Sequence, residues 1–226
     1  MRNADKLSWG STSVSFDRIL SCVSERGTEM YAISKEEINE IVSNDGEARG
    51  ILLYTDAEYI RRHEGEKTLR RVEEATEEMG YPIDYGKVKL MDWYPIGLRL
   101  ISLLAITKVL NWDDEQLKEM GRSAPKYSII TKLMLRYFVS LGTLVERVQT
   151  YWDKNYTVGS ITGSLIDKSV FICLKSCHIP RLLFPYLEGY FVGAMGLVIG
   201  NHKQIRLEET KWMHRDGRCH EFVLRW

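Results

Sequence analysis

The sequence lacks several features that would place it in a functional class at once. Acidic and basic residues are balanced, 31 of each, so nothing favours a general attraction to nucleic acid or to an anionic membrane. No run of about eighteen uncharged apolar residues occurs, so no membrane-spanning helix is expected. The first residues, MRNADKLSWGS, hold no apolar signal segment, and the four cysteines have no framework spacing. These absences predict a cytoplasmic protein.

Motifs for the common enzyme chemistries are also missing. The chain has no Gly-x-Ser-x-Gly nucleophile elbow, no Walker loop, no dinucleotide fingerprint and no His-Glu-x-x-His zinc motif. Glu208 and Glu209 are neighbours on a predicted strand, where adjacent side chains point to opposite faces, so they cannot act on one substrate. The sequence therefore favours a protein that is not an enzyme.

The strongest pattern present is a long apolar helix near the end of the chain. Residues 184–199 are apolar nearly all round, which is typical of a helix covered on every face. Four glycines line one face, at i, i+4, i+7 and i+11: Gly189, Gly193, Gly196 and Gly200. Each interior glycine costs a helix about 1 kcal/mol, so the row predicts close approach of a strand, a partner helix or a ligand.

Strands are predicted on both sides of this helix. β-branched residues indicate antiparallel strands near 157–163 and 168–175, and the pair Asp216-Gly217 indicates a hairpin turn between two further strands. The earlier part of the chain reads as helices, so the order of elements predicts an α+β fold. Residues 1–49 are interpreted as an N-terminal extension and residues 50–226 as the main domain.

Several helix boundaries follow from capping residues. Residues 34–42 form a short capped helix, Asp56 is expected to cap a helix that runs to about Arg62, and residues 64–79 form a charged helix with a narrow apolar stripe. Residues 96–110 are dense in Leu and Ile and belong in the core. Asp113 is expected to cap the next helix and Gly121 to end it.

The order of motifs in the second half resembles a known family. A long Gly-containing helix is followed by a strand with Glu209, an Asp-Gly turn, and a closing strand with Cys219, Phe222 and Trp226. Tyr94-Pro95 and Met120-Gly121-Arg122 match the helices before it. Over roughly residues 50–226 the chain resembles vinyl-4-reductase domains, whose fold is shared with haem-NO-binding domains and small subunits of trafficking particles.

The resemblance implies a small-molecule-binding sensory or regulatory domain with an apolar pocket between helices and sheet. Aromatic and small residues on the surrounding elements are the candidates for its lining: Tyr137, Phe138, Phe171, Tyr190, Gly193, Leu197 and Trp212. The alternative for each of them is a place in a filled core. A dimeric scaffold without a small ligand is the second interpretation, and an enzyme related to vinyl reduction is the third.

Zinc and haem are the two alternatives to an apolar small molecule. A zinc site would combine Cys219 with Cys173, Cys177 and His178, although Trp212 stands where relatives often have a second Cys. The haem-binding relatives use a proximal His and a Tyr-x-Ser-x-Arg triplet. That triplet does not occur here, and His63 lies on a charged segment. The sequence therefore favours an apolar small molecule over zinc or haem.

The expected partners are other protein chains. Long apolar helices exceed what one sheet face covers, which predicts a homodimer. Because the chain carries no kinase, cyclase or DNA-reading motif, a sensory output would pass through that dimer or through a signalling partner.

Overall fold

The computed structural model describes residues 35–43, 45–127, 140–175, 183–199, 204–211 and 219–226. Contacts divide the chain into Met1–Met30 and Tyr31–Trp226, and the described residues all belong to the second unit. Their helices and strands follow in this order: α1 (Lys35–Val42), β1 (Glu47–Arg49), α2 (Gly50–His63), α3 (Glu66–Glu78), β2 (Trp93–Pro95), α4 (Ile96–Leu110), α5 (Asp114–Tyr127), α6 (Leu141–Glu146), α7 (Val148–Trp152), β3 (Ser160–Ile166), β4 (Ser169–Lys175), α8 (Leu183–Ile199), β5 (Arg206–Lys211) and β6 (His220–Arg225).

Helix α4 is the centre of the helical part. Every residue from Leu100 to Ile106 is buried, because α1, α2 and α3 pack around it. Helix α3 contributes a narrow buried stripe; Leu69 and Val72 belong to it as predicted, Ala75 takes part, and Met79 is only partly buried at the end of the helix. Strands β1 and β2 pair antiparallel, with Ala48 opposite Tyr94, and join α1 to the start of α4.

The second sheet has four antiparallel strands in the order β3-β4-β6-β5. Ile172 on β4 pairs with Phe222 on β6, and both side chains are buried. The Phe222 ring lies 5.4 Å from that of Phe191 and 6.5 Å from that of Phe184 on α8. Helix α8 therefore packs on the sheet face that carries Ile172 and Phe222.

Most of the predicted architecture is confirmed. The α+β class, the helix over residues 96–110, both strands of the β3–β4 hairpin and the long helix ending at Ile199 are all present. Asp113 caps α5 as expected, since its Oδ1 accepts hydrogen bonds from the backbone N–H groups of Glu115 and Gln116 at 2.8 and 3.3 Å. Within the described ranges no helix combines the length and the hydropathy that crossing a bilayer requires.

Two predicted helix boundaries are wrong. Helix α2 begins at Gly50, so Asp56 lies inside it, completely buried, instead of capping it. Helix α5 runs through Gly121 to Tyr127. Both residues were interpreted by local chemistry, whereas tertiary contacts decide their positions: an ion pair for Asp56 and a helix crossing for Gly121.

Candidate ligand-binding site

One face of helix α8 is closed by helix α5. A Cβ atom on Gly189 would lie 1.9 Å from the carbonyl oxygen of Lys118, and one on Gly193 would lie 2.2 Å from that of Arg122. The approach is reciprocal, because a Cβ on Gly121 would lie 2.0 Å from the carbonyl oxygen of Tyr186. Of the three alternatives for the glycine row, the structure shows a helix of the same chain.

A cavity of about 60 Å³ borders another face of α8, and the space widens to about 480 Å³ when the solvent at its mouth is counted. The lining comes from α2, α4, α7, β3, α8 and the segment after α7. It is almost entirely apolar or aromatic and consists of Leu52, Arg99, Val148, Tyr151, Trp152, Asn155, Tyr156, Ile161, Tyr186, Leu187, Tyr190 and Phe191.

The wall opposite α8 is held by short-range contacts around Trp152. The Trp152 ring stacks on Tyr156, with 4.4 Å between the ring centroids, and its Nε1–H donates to the carbonyl oxygen of Val158 at 2.7 Å. Gln149 accepts from the backbone N–H of Ile161 at 2.6 Å through its side-chain oxygen. These bonds tie α7 to β3, so the wall has a defined shape.

Among the described residues of the lining, Arg99 is the one with a charged side chain. It is 1% exposed, and its Nε lies 3.3 Å from Oδ2 of Asp56, which is also fully buried. Its Nη1 donates to the hydroxyl of Tyr156, and its guanidinium carbon lies 4.5 Å from the ring centroid of Tyr186. Its Nη2 has no hydrogen-bond partner among the residues that the structure describes.

Burial changes the pKa values of two groups beside Arg99, Asp56 and Tyr186. Burial raises the pKa of Asp56, against the opposing effects of the Arg99 charge and a hydrogen bond with Tyr186. Burial likewise raises the pKa of the Tyr186 hydroxyl well above its ordinary value. An arginine cannot give up its proton, so Arg99 is a fixed positive charge buried at the wall of the cavity.

The residues predicted to bind ligand are scattered in the structure. Tyr190 lines the cavity, whereas Gly193 faces α5 and Leu197 is 39% exposed. Phe171 alternates with the buried Val170 and Ile172, which places it on the sheet face away from α8. Tyr137, Phe138 and Trp212 lie outside the described residues. A ligand-binding role for the set stays a prediction.

The pair of Arg99 and Asp56 was not predicted from the sequence, although one signal was available. Arg99 is the only charged residue between Ile96 and Ile106, in a helix that was assigned to the core. A charge inside an otherwise buried helix needs a partner, since burying an unpaired charge is costly. Asp56 could not be found from local sequence, because the two residues meet only in the folded chain.

The candidate metal ligands are only partly described. Cys173 is half-buried on β4 and Cys219 is buried just before β6, while Cys177 and His178 lie outside the described residues. In the ranges given above, no three His, Cys, Asp or Glu side chains form a group that could hold an ion. The zinc site stays a prediction. His63 is exposed at the end of α2, with its ring 4.0 Å from that of Tyr59 and away from the cavity lining.

This chain is similar to known proteins in its fold, whereas comparisons of its sequence find no match. No family model and no curated protein matches the chain. Solved structures do. An H-NOX protein from S. oneidensis in the Fe(II)NO ligation state matches with a TM-score of 0.60 at 17% identity, over 78% of this chain and 98% of that chain. The chain has the H-NOX fold. An oxygen binding H-NOX domain related to soluble guanylate cyclases matches with a TM-score of 0.57 at 14% identity, over 78% and 94%.

The fold comparison confirms part of the resemblance and overturns one expectation. Similarity to haem-NO-binding domains is confirmed at the level of fold, while the links to vinyl-4-reductase domains and trafficking particles stay predictions. Ranking haem below an apolar molecule was wrong. Matched structures are described as "Modulating Heme Redox Potential Through Protein-Induced Porphyrin Distortion" and "Probing the function of heme distortion in the H-NOX family". The missing Tyr-x-Ser-x-Arg triplet was not a sufficient reason to rank haem low, because structures with this fold are described with haem.

The described cavity lacks the size and the ligands that haem needs. A haem carboxylate would pair with a cation, but Arg99 is 1% exposed and its Nε already faces Asp56. The volume is too small, since sites for ligands of this kind measure roughly 300–1,000 Å³ and this cavity measures about 60 Å³. The part of its lining that the structure describes holds tyrosines but no His, Cys or Met. In this conformation the lining does not fit haem, and haem would require the wall between α7 and α8 to open.

Proposed function

We propose that the chain is a ligand-binding sensory domain whose small-molecule ligand enters the cavity beside Arg99. The observation that carries this proposal is the cavity itself, an apolar space inside the core with one buried, incompletely paired cation at its wall. Closely packed cores seldom leave such space, and ligand sites typically combine an apolar lining with a few polar groups. The H-NOX fold supports a sensory role, because proteins with that fold include ones described as oxygen binding.

Helix α8 links the cavity to the rest of the fold. On one side, α8 borders the cavity with Tyr186, Leu187, Tyr190 and Phe191. On another side, Gly189 and Gly193 of α8 contact the backbone of α5. A ligand that widens the cavity displaces α8, and the backbone contacts at the glycines leave no side chain that could absorb the movement. The displacement is therefore passed to α5, which also contacts α2. This supports α5 as the element that reports ligand binding to a homodimer partner or a signalling protein.

Native mass spectrometry of protein purified without added ligand tests the proposal. We expect a bound small molecule that is lost on denaturation, or a bound species after addition of haemin or a small apolar molecule. Val148→Phe, which fills the cavity from α7, is expected to abolish the added mass. Leu165→Phe, on an exposed part of β3, is the matched control. Protein that takes up none of these molecules would overturn the proposal.

A scaffold that dimerises through the glycine face is less well supported. That face is covered by α5 of the same chain, so it is not available to a second copy. The same spectra report the oligomeric state, and the homodimer is expected from its mass.

A further inference from the structure

The four-stranded sheet has two outer edges, and they differ in charge. Strand β5 forms one edge and carries four charged side chains, those of Arg206, Glu208, Glu209 and Lys211. Strand β3 forms the other edge, and its sequence from Ser160 to Ile166 contains no charged residue. Natural sheets commonly protect an open edge from pairing with another chain by placing charged side chains on it. By this criterion β5 is protected and β3 is not.

Two residues of β3 direct backbone groups away from the sheet. The N–H of Ile161 donates to the side-chain oxygen of Gln149 on α7 at 2.6 Å, so it does not point toward β4. In an antiparallel pair the backbone groups of alternate residues point the same way, so those of Gly163 and Leu165 also point outward. Among the described residues, none forms a hydrogen bond with these outward groups. The open part of the edge is therefore short and centred on Ser164.

The side chains at this open part are aliphatic or small, and they reach solvent. Leu165 is 39% exposed and Ile166 is 56% exposed, and both belong to the few large apolar side chains on the surface of the described residues. Ser164 between Gly163 and Leu165 is exposed as well. An uncharged edge strand with exposed aliphatic side chains is the kind of strand to which another strand can be added.

The positions of the outward groups match those of a second copy of the same strand. Antiparallel pairing about a two-fold axis at Ser164 places Gly163 opposite Leu165 of the copy, and Leu165 opposite Gly163. Each pair exchanges two N–H···O bonds, so the outward groups of both residues are all used. Ser164 then faces its own copy, and the two hydroxyls can hydrogen-bond. The same operation on β5, centred on Glu208 or Glu209, would place that glutamate against its copy, where like charges oppose pairing.

We propose that the chain forms a two-fold symmetric dimer, in which β3 pairs antiparallel with β3 of a second copy and joins the two four-stranded sheets into one. The proposal goes beyond the proposed function, because this pairing requires no ligand. So short a strand pair buries less than the roughly 1,200–2,000 Å² of stable interfaces, so the dimer is weak. Ile161 of the same strand lines the cavity, so the interface lies beside the proposed ligand site.

Sedimentation equilibrium of the full chain tests the dimer, at concentrations up to about 300 µM because a small interface is weak. We expect an equilibrium between monomer and dimer for the wild-type chain. Leu165→Pro removes one outward N–H without removing a bond to β4, and Pro is found on edge strands in this orientation. Its dissociation constant should be at least ten-fold higher. Leu165→Val keeps the N–H and an apolar side chain, so this matched control should dimerise like the wild type.

A second variant tests the same interface without changing the backbone. Ser164→Lys alters an exposed side chain and places two like charges directly opposite each other at the axis, which opposes pairing. Its dissociation constant should also rise at least ten-fold. Ser164→Thr keeps the hydroxyl and is the matched control, which should dimerise like the wild type. Thermal melting confirms that each variant is folded.

Ser164→Cys tests the register of the two strands. Residues opposite each other in a non-hydrogen-bonded pair have Cα atoms about 4.5 Å apart, within the range of a disulfide. Under mild oxidation this variant should form a covalent dimer, whereas Glu208→Cys, which changes an exposed residue of β5, should not. A wild-type chain that stays monomeric over the whole range would overturn the proposal. So would a dimer that neither Ser164→Lys nor Leu165→Pro weakens, or a Ser164→Cys chain that cross-links no faster than Glu208→Cys.

Discussion

Helix α8 has two faces that differ in how they are packed. On one, Gly189 and Gly193 press against the backbone of α5 so closely that a methyl group would overlap a carbonyl oxygen. On the other, Tyr186, Tyr190 and Phe191 stand beside a cavity. The glycines thus lie where α8 and α5 are in close contact, and the aromatic residues lie where a cavity remains. The reason is geometric: glycines let two backbones meet without gaps, whereas large rings leave gaps wherever their neighbours do not interdigitate.

The largest effect is expected at the buried ion pair on the cavity side. Arg99→Met leaves Asp56 buried without its counter-ion, and breaking such a pair typically costs about 3–5 kcal/mol. The free energy of unfolding should fall by that amount in urea titrations. The double variant Asp56→Leu with Arg99→Met should recover most of the loss. A single variant as stable as the wild type would show that the pair contributes nothing.

The glycine face provides the second prediction. Gly189→Ala adds one methyl group that meets backbone, so it should lower the free energy of unfolding by about 1–3 kcal/mol or more. Gly193→Leu should be worse, since its side chain is larger. Gly142→Ala on α6 is the control, because the contact given for its Cβ within the described residues is a loose one, with Oγ of Ser140 at 3.7 Å. That change should be neutral or slightly stabilising. Equal effects at Gly189 and Gly142 would contradict the crossing.

These two sites also show what the sequence could and could not predict. The periodicity of residues 96–110 and 184–199 was sufficient for two core helices, because burial on all sides leaves a nearly continuous apolar pattern. The glycine row correctly predicted a close approach but not its partner, since α5 is far away in the chain. Asp56 was read as a cap because a local rule fits it, and only the distant Arg99 explains it. The cavity was out of reach for the same reason: its lining comes from six separate segments.

A smaller effect is expected from adding one carbon on the cavity side. Val148→Leu extends a lining side chain into space that is already vacant, so the free energy of unfolding should change by less than about 1 kcal/mol. Compared with Gly189→Ala, it adds a similar volume to the opposite side of α8. Chemical denaturation of the two variants under identical conditions measures the difference directly. A loss at Val148 as large as that at Gly189 would show that the cavity side is not spacious.

The smallest effect concerns pH at the helix crossing. Burial raises the pKa of Glu188 on α8 above its ordinary 4.5, although Lys118 on α5 lies 3.1 Å away and lowers it. The folded chain therefore holds this proton at pH values where the unfolded chain has lost it. Stability then decreases as the pH rises from about 4.5 to the pKa of the folded state. Glu188→Gln should remove this decrease, by less than about 1 kcal/mol.

The control for that experiment lies on the same pair of helices. Glu119→Gln changes an exposed carboxylate on α5, which pairs with Arg122 at 2.8 Å. Melting curves between pH 4 and pH 8, approximately the range in which carboxylates complete their titration, should differ from the wild type for Glu188→Gln and not for Glu119→Gln. The same profile for both variants would assign the pH dependence elsewhere.

The most direct test of the central claim, that the cavity beside Arg99 takes up a small apolar molecule, is a crystal structure of the chain pressurised with xenon, located by its anomalous scattering. Xenon enters apolar cavities without needing a polar partner. The account predicts xenon between Tyr190 and Ile161. Xenon bound only elsewhere, with this cavity still empty at saturating pressure, would contradict it.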